Sequence, residues 1–165
     1  MYKIVITGPE SSGKTTLCKA LSSHFNLPFT KEYAREYLHL LSNDYNQSDL
    51  TEIAKGQLQS ENEMQLLDTD LVTLKIWSKY KYSSCDKWIL DKIEKQKSEN
   101  RFYLLCKPDI PWKPDPLREN PRERMNIFNL YKDELTNLEH DYFIVEGENR
   151  IKNSISKISY LISAF

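Results

Sequence analysis

The feature that most constrains this chain lies between residues 4 and 16. Ile4-Val5-Ile6-Thr7 is an apolar, β-branched run that stops at Gly8, and from Lys14 onward Leu17, Ala20, Leu21 and Phe25 recur at helical spacing. Between strand and helix, Gly8-Pro9-Glu10-Ser11-Ser12-Gly13-Lys14-Thr15-Thr16 matches the Gly-x-x-x-x-Gly-Lys-Thr pattern. Glycines let a backbone turn so that its N–H groups point inward, and a helix N-terminus behind them adds positive potential, so the segment is suited to cradle phosphate oxygens. In such a loop Lys14 reaches the β- and γ-phosphates and the Thr15 hydroxyl holds Mg²⁺, while Glu10, Ser11, Ser12 and Thr16 complete the cradle. The whole chain has four glycines and two of them stand here, which makes glycine richness a poor alternative explanation.

The 165 residues suit one domain, 1–165, with a single sizeable core. Lys plus Arg number 23 against 24 for Asp plus Glu, so the charge balance favours neither nucleic acid nor a membrane surface as partner. No apolar run approaches the ~20 residues of a membrane span, and the chain opens directly on its first strand, so a cytoplasmic protein is expected. Cys18, Cys85 and Cys106 are widely spaced without a C-x-x-C pair, and His24, His39 and His140 are scattered. All six read as structural or surface residues, not as a transition-metal site. Nothing in the sequence sets an oligomeric state.

Further along, Leu27-Pro28-Phe29-Thr30 leads into a short second strand, and residues 32–41 read as a helix. Glu32 therefore falls near a strand's C-terminal end, where ligands gather in an open parallel sheet; an ordinary charged first turn is the other reading of Glu32 and Arg35. A helix follows from Leu50, with Ser48 or Asp49 as cap and Glu52 placed for a capping box. Gly56 within it costs about 1 kcal/mol relative to Ala, which points to close packing or a nearby ligand. Met64-Gln65-Leu66-Leu67 is a third strand ending in Asp68-Thr69-Asp70. Asp68 is placed as the carboxylate that joins Thr15 in a metal shell, and Asp70 either faces substrate or caps the next helix.

Residues 71–82 and 86–97 read as two helices, with Trp77 offering a flat surface for a ring or filling the core. Phe102–Cys106 is a fourth strand, and the proline-rich stretch after it continues neither sheet nor helix. Arg118, Arg122 and Arg124 cluster there, before a helix starting at Asn120-Pro121-x-Glu123. Cations on a mobile segment are what a phosphoryl-transfer lid, here about 113–124, requires. Tyr142–Val145 is the fifth strand, and the loop through Gly147 to Arg150 is placed to pass an adenine ring before the closing helix. Five strands alternating with helices predict an α/β fold of the P-loop NTPase type: a five-stranded parallel sheet of order 2-3-1-4-5, helices on both faces and a lid. Lys14, Mg²⁺ on Thr15 and Asp68, and the lid arginines would stabilise a γ-phosphoryl group in flight. Asp70 or Glu32 would take the proton of an attacking hydroxyl.

The phosphate loop, Glu32-Tyr33-Ala34-Arg35-Glu36, Asp68-Thr69-Asp70, and Asp109-Ile110-Pro111-Trp112 with Asp115 and Arg118 together resemble the ribosylnicotinamide kinase domain of the NadR-type family. The resemblance implies ATP- and Mg²⁺-dependent phosphorylation of the 5′-hydroxyl of nicotinamide riboside, a small-molecule acceptor, for NAD salvage. It also implies that Glu32, Tyr33, Arg35 and Asp70 surround the riboside, that Trp77 or Trp112 lies near its pyridinium ring, and that Arg118 and Arg122 lie near the phosphates. Asp115-Pro116-Leu117-Arg118 departs from the family by a proline where a glycine is expected. Rival readings are a kinase of another nucleoside or of a 5′-hydroxyl nucleic-acid end, a regulatory nucleotide-binding module, and a GTPase-like switch. Cys106-Lys107-Pro108-Asp109 hints at the last of these, but Cys stands where Asn is needed.

Overall fold

The computed structural model of the chain describes residues 3–41, 44–61 and 65–163; Met64, expected to open the third strand, lies outside them. In chain order the elements are β1 (Lys3–Thr7), α1 (Lys14–Phe25), β2 (Phe29–Thr30), α2 (Tyr33–Leu40), α3 (Gln47–Ser60), β3 (Leu66–Asp68), α4 (Leu71–Tyr82), α5 (Lys87–Gln96), β4 (Arg101–Cys106), α6 (Arg124–Asn137), β5 (Tyr142–Val145) and α7 (Arg150–Ser163). The strands form one sheet in the expected order β2-β3-β1-β4-β5, with every pairing parallel. Parallel neighbours need crossovers, and the helices supply them on both faces. Val5, Leu67, Tyr103 and Leu105 point to the face covered by α2 to α6, whereas Ile4, Ile6, Leu66, Leu104 and Cys106 point to α1 and α7. Burial on both sides accounts for strands that read as continuous apolar runs. Among the described residues no helix is long and apolar enough to cross a membrane.

Because β1 is flanked by β3 and β4, the chain departs from it in opposite directions, and a crevice opens at the C-terminal strand ends where that reversal occurs. Gly8 and Asp68 both arrive there: the register sets Ile6 beside Asp68 and Thr7 beside Leu105.

Two helix starts differ from expectation. The cap of α3 is Asn46, whose side chain accepts from Ser48 N–H at 2.8 Å, while the Asp49 carboxylate accepts from Asn46 N–H at 2.8 Å. The capping box therefore closes one turn before the predicted one, because Asp49 is its return member and not its cap. Helix α6 starts at Arg124, not near Pro121, since the backbone just before it is drawn toward the phosphate loop by bonds to Glu10.

The largest correction concerns Asp70, which faces no crevice. It is fully buried, caps α4 by accepting from Val72 N–H at 3.0 Å, and takes hydrogen bonds from Arg101 Nη1 at 3.1 Å and Tyr103 Oη at 2.7 Å. Arg101 is equally buried, and its Nη2 donates to Glu61 at 2.7 Å. Charges this deep are tolerated only when paired and hydrogen-bonded, and Arg101 had carried no signal in the sequence. Gly56 proves to be a packing glycine. A Cβ there would stand 2.1 Å from the Tyr33 ring, so Tyr33 turns to α3 and not to a ligand.

Two substitutions test this packing. Gly56→Ala should destabilise the protein by about 1–3 kcal/mol despite the better helix propensity of Ala, read from the urea midpoint at unchanged m. Arg101→Met, which strands two carboxylates, should cost about 3–5 kcal/mol in the same measurement.

Candidate phosphate-transfer cleft

The loop between β1 and α1 is shaped by its glycines. Gly8 has φ +135°, and a Cβ there would lie 2.6 Å from the Cys106 carbonyl oxygen, so only glycine lets the loop pass so close to β4. Gly13 has φ +86° and precedes α1 with no side-chain cap, which leaves the first-turn N–H groups directed to the crevice. Ser12 Oγ donates to the Pro9 carbonyl at 2.7 Å, and Lys14 Nζ donates to the Gly8 and Pro9 carbonyls, each at 2.9 Å. The lysine ammonium is thus folded back over the cradle, where a phosphate oxygen would meet it.

Thr15, the second residue of α1, joins Asp68 at the end of β3: Thr15 Oγ1 donates to Asp68 Oδ2 at 2.8 Å. Asp68 is buried, and its other oxygen, Oδ1, has no hydrogen-bond partner among the described residues. Burial and the nearby charge of Glu32 push its carboxyl up from the usual 3.8 to about 6. A buried carboxylate oxygen lacking a donor, next to a threonine hydroxyl at a phosphate loop, fits Mg²⁺, which is held by one or two carboxylates together with phosphate oxygens. Among the described residues no group of three or more His, Cys, Asp or Glu side chains is placed to hold a metal.

The same cavity continues beyond the loop. Glu32, Arg35 and Leu38 form one wall, Thr73, Ile76, Trp77 and Tyr80 of α4 another, and Ile127 and Tyr131 of α6 the back, with Leu117, Arg118 and Asn120 above. Glu32 lies 3.4 Å from Arg35 Nε. Tyr131 Oη donates to Thr73 Oγ1 at 3.3 Å, and Thr73 Oγ1 lies 3.2 Å from Thr7 Oγ1. Thr73, Ile76, Tyr80 and Tyr131 carried no motif, and helical spacing alone does not separate a cleft-facing residue from a core one.

Of the residues expected at the site, Gly8, Ser11, Ser12, Gly13, Lys14, Thr15, Thr16, Glu32, Arg35, Trp77 and Arg118 line this cavity. Glu10 lines it too, but its carboxylate accepts the backbone N–H groups of Glu119 and Asn120 and so holds the lid. Ser11 Oγ accepts from Lys113 N–H at 2.9 Å, and Asp115 pairs with Arg35 at 3.0 Å, so the 113–124 segment is seated across both halves of the cleft. Leu117 N–H and Arg35 hold the Asp115 carboxyl below its usual range.

Tyr33, Asp68, Asp70, Trp112, Arg122, Gly147 and Arg150 do not line the cavity, and Asp68 meets it only through its hydrogen bond with Thr15. Trp112 packs with its ring 5.7 Å from the Arg124 guanidinium, which donates to the carbonyls of Ser11 and Ile110 at 3.0 Å. Arg122 is exposed. Arg150 braces the loop from outside, donating to the Ser12 carbonyl at 2.9 Å and pairing with Asp109, which also accepts the Gly147 N–H at 2.7 Å. Asp109 is thus engaged in holding the α7 start against the phosphate loop, and Lys107 pairs with Glu146 at 2.5 Å.

The raised Asp68 carboxyl carries a consequence for stability. The folded chain binds a proton there that the unfolded chain has released between about pH 4 and 6, so stability falls as pH rises through that window and the loss is complete above it. Asp68→Asn should therefore be more stable than the unsubstituted chain at pH 7 in EDTA by about 1–3 kcal/mol, and the difference should vanish near pH 4. Thermal melts across pH check both.

The fold and geometry can be set beside known proteins. Residues 3–150 match the family model described as an AAA domain. The chain is 31% identical over 161 residues to the trifunctional NAD biosynthesis/regulator protein NadR of Escherichia coli K12, covering 88% of this chain and 38% of that one. To the protein of the same name from Salmonella typhimurium LT2 it is 34% identical over 128 residues, 70% and 30% of the two lengths. The chain thus spans only those 38% and 30% portions of these relatives. Among solved structures it resembles a NadR protein in complex with NR, with TM-score 0.74 at 23% identity over 96% of this chain and 51% of that one. Deoxyadenosine kinase from M. mycoides gives TM-score 0.64 at 14% identity over the full length of both, and shikimate kinase from Bacteroides thetaiotaomicron 0.59 at 15% over 98% of both. At such identities the likeness establishes a shared fold. With the family model matched across nearly all of the sheet and the phosphate loop built as described, this chain belongs to the AAA-domain family of P-loop proteins and is homologous to part of NadR.

Proposed function

We propose that the chain is an ATP- and Mg²⁺-dependent kinase that phosphorylates the 5′-hydroxyl of nicotinamide riboside. The observation that carries this reading is one cleft holding two complementary halves: a phosphate loop with the Thr15–Asp68 pair on one side, and Glu32 with an aromatic wall at Trp77 on the other. The homology to NadR, a protein of NAD biosynthesis, supports the choice of acceptor, as does the resemblance to a NadR structure holding NR.

In this mechanism the amides of residues 8–16 grip the triphosphate, and Lys14 leaves the Gly8 and Pro9 carbonyls for the β- and γ-phosphate oxygens. Thr15 and Asp68 would hold Mg²⁺, which when bound neutralises charge on the phosphates. Arg118, in the lid, adds a cation where charge develops. Glu32 takes the proton of the attacking hydroxyl, a role closed to Asp70, whose carboxylate is occupied by Arg101, Tyr103 and Val72 N–H. Arg35, with Nε 3.4 Å away, orients Glu32. A pyridinium ring is attracted to the Trp77 face and to the Glu32 carboxylate together.

A second reading, a kinase of another nucleoside, is favoured by the full-length fold match to deoxyadenosine kinase. One assay separates the two: ATP consumption with nicotinamide riboside, uridine, cytidine and a 5′-hydroxyl oligonucleotide side by side. Nicotinamide riboside should be used fastest, and preference for another acceptor would replace the first reading with the second. Within that assay Lys14→Ala should lower kcat by about 10²–10³-fold and Glu32→Gln by about 10²–10⁴-fold, with ATP affinity nearly kept in the latter. Full activity of Glu32→Gln would remove it as the base.

A further inference from the structure

Tyr45 lies between α2 and α3, outside every motif, yet its hydroxyl joins three partners. Its Oη accepts from Trp77 Nε1 at 3.0 Å and from Lys81 Nζ at 2.6 Å, and donates to Glu119 Oε2 at 2.8 Å. A phenol offers one donor and two lone pairs, so the group is fully used. Lys81 Nζ closes the cluster by reaching Glu119 Oε1 at 2.8 Å and lying 3.9 Å from the Tyr45 ring centroid. The Tyr45 and Trp77 rings meet edge to face with centroids 5.2 Å apart. An indole held by its N–H on one side and by a ring contact on the other cannot turn over without losing both, so the face that Trp77 gives the cleft is fixed by Tyr45.

Glu119 sits in the lid and is held at both ends. Its backbone N–H donates to both carboxylate oxygens of Glu10, inside the phosphate loop, at 3.1 Å, while its own carboxylate ends on Tyr45 and Lys81. A single residue therefore spans from the loop that receives the donor nucleotide to the hydroxyl that orients the aromatic wall. An exposed Lys–Glu pair alone is worth little. The Tyr45 oxygen differs because its bond from Trp77 Nε1 is part-buried and so costlier to lose than its exposed bonds to Lys81 and Glu119.

We propose that Tyr45 and Glu119 are positioning residues for the acceptor: seating the lid on Glu10 locks Trp77 against Tyr45, so that the acceptor's flat ring finds its wall only when the phosphate side is assembled. The consequence for the acceptor rests on the phosphoryl-transfer reading above; the mechanical link does not.

Tyr45→Phe keeps the ring and removes the shared oxygen, and Glu119→Ala keeps the backbone bond to Glu10 and removes the far end. Each should raise the KM for nicotinamide riboside about tenfold while kcat and the KM for ATP stay within about twofold. The double variant should lose no more than the worse single one, since both cut one link. Glu119→Gln, which retains an acceptor oxygen for Tyr45, should recover most of the loss. A readout free of turnover is acrylamide quenching of the Trp77 emission, isolated by subtracting a Trp77→Phe variant, which should increase in both single variants. Unchanged quenching in Glu119→Ala overturns the link even in a protein that phosphorylates the riboside. Increased quenching in a protein that phosphorylates no riboside keeps the link and overturns only the acceptor assignment. Equal rises in both KM values, or additive losses, reduce the pair to general stability and also overturn the proposal.

Discussion

The parallel register of β1 against β3 is the constraint on which the cleft depends. Ile6 stands beside Asp68, and the chain leaves β1 one residue later for the phosphate loop. A slip of one residue would turn the Asp68 carboxylate to the opposite face of the sheet and separate it from Thr15, because side chains alternate with a period of two. Packing on both faces opposes such a slip: it would exchange the sides taken by Leu66 and Leu67, each of which is fitted to the helices on its own face. The hydrophobic core thus does more than stabilise. It fixes to within one hydrogen bond where a carboxylate from β3 meets a hydroxyl from α1.

Two aspartates two residues apart are treated in opposite ways by this frame. Asp70 has its lone pairs filled by an arginine, a tyrosine and a helix N–H, and its charge is neutralised within the core. Asp68 keeps one buried oxygen without a donor among the described residues, and burial together with the charge of Glu32 raises its carboxyl. The first arrangement anchors α4, the helix that carries Thr73 and Trp77 to the cleft. The second is held at a cost to the folded chain, as functional groups commonly are.

The lid is attached by polar contacts more than by apolar packing. Ser11, Arg35 and Tyr45 each take one point of the 113–120 stretch and Glu10 takes two, through contacts that are part-buried or exposed. Contacts of this kind are individually weak and separately breakable, which would suit the proposed function, in which the segment admits two ligands and then excludes water. Pro116 does not prevent it from seating, since the turn at Asp115 forms through its side chain and Leu117 N–H at 3.0 Å.

Much of this was legible in the residues. Gly8 to Thr16 specified a strand, a loop and a helix because each type there has one backbone use, and the alternation of apolar runs with helical spacing specified five strands, whose order was an expectation from the fold type until the structure fixed it. Glu32, Arg35 and Asp68 could be placed because strand ends are readable from where apolar runs stop. The fate of Asp70, Tyr33 and Trp112 was not readable, because which of two faces a polar or aromatic side chain takes is decided by partners distant in the chain: Arg101 for the first, Gly56 for the second, Arg124 for the third. Tyr45 and Glu119 belong to the same class, 74 residues apart and meaningless until the lid folds over. Local sequence determines what a residue can do, through backbone geometry and chemistry within a turn or two. Only the packed chain decides which of those abilities is used, since burial and pairing are properties of the neighbours that the fold brings to it.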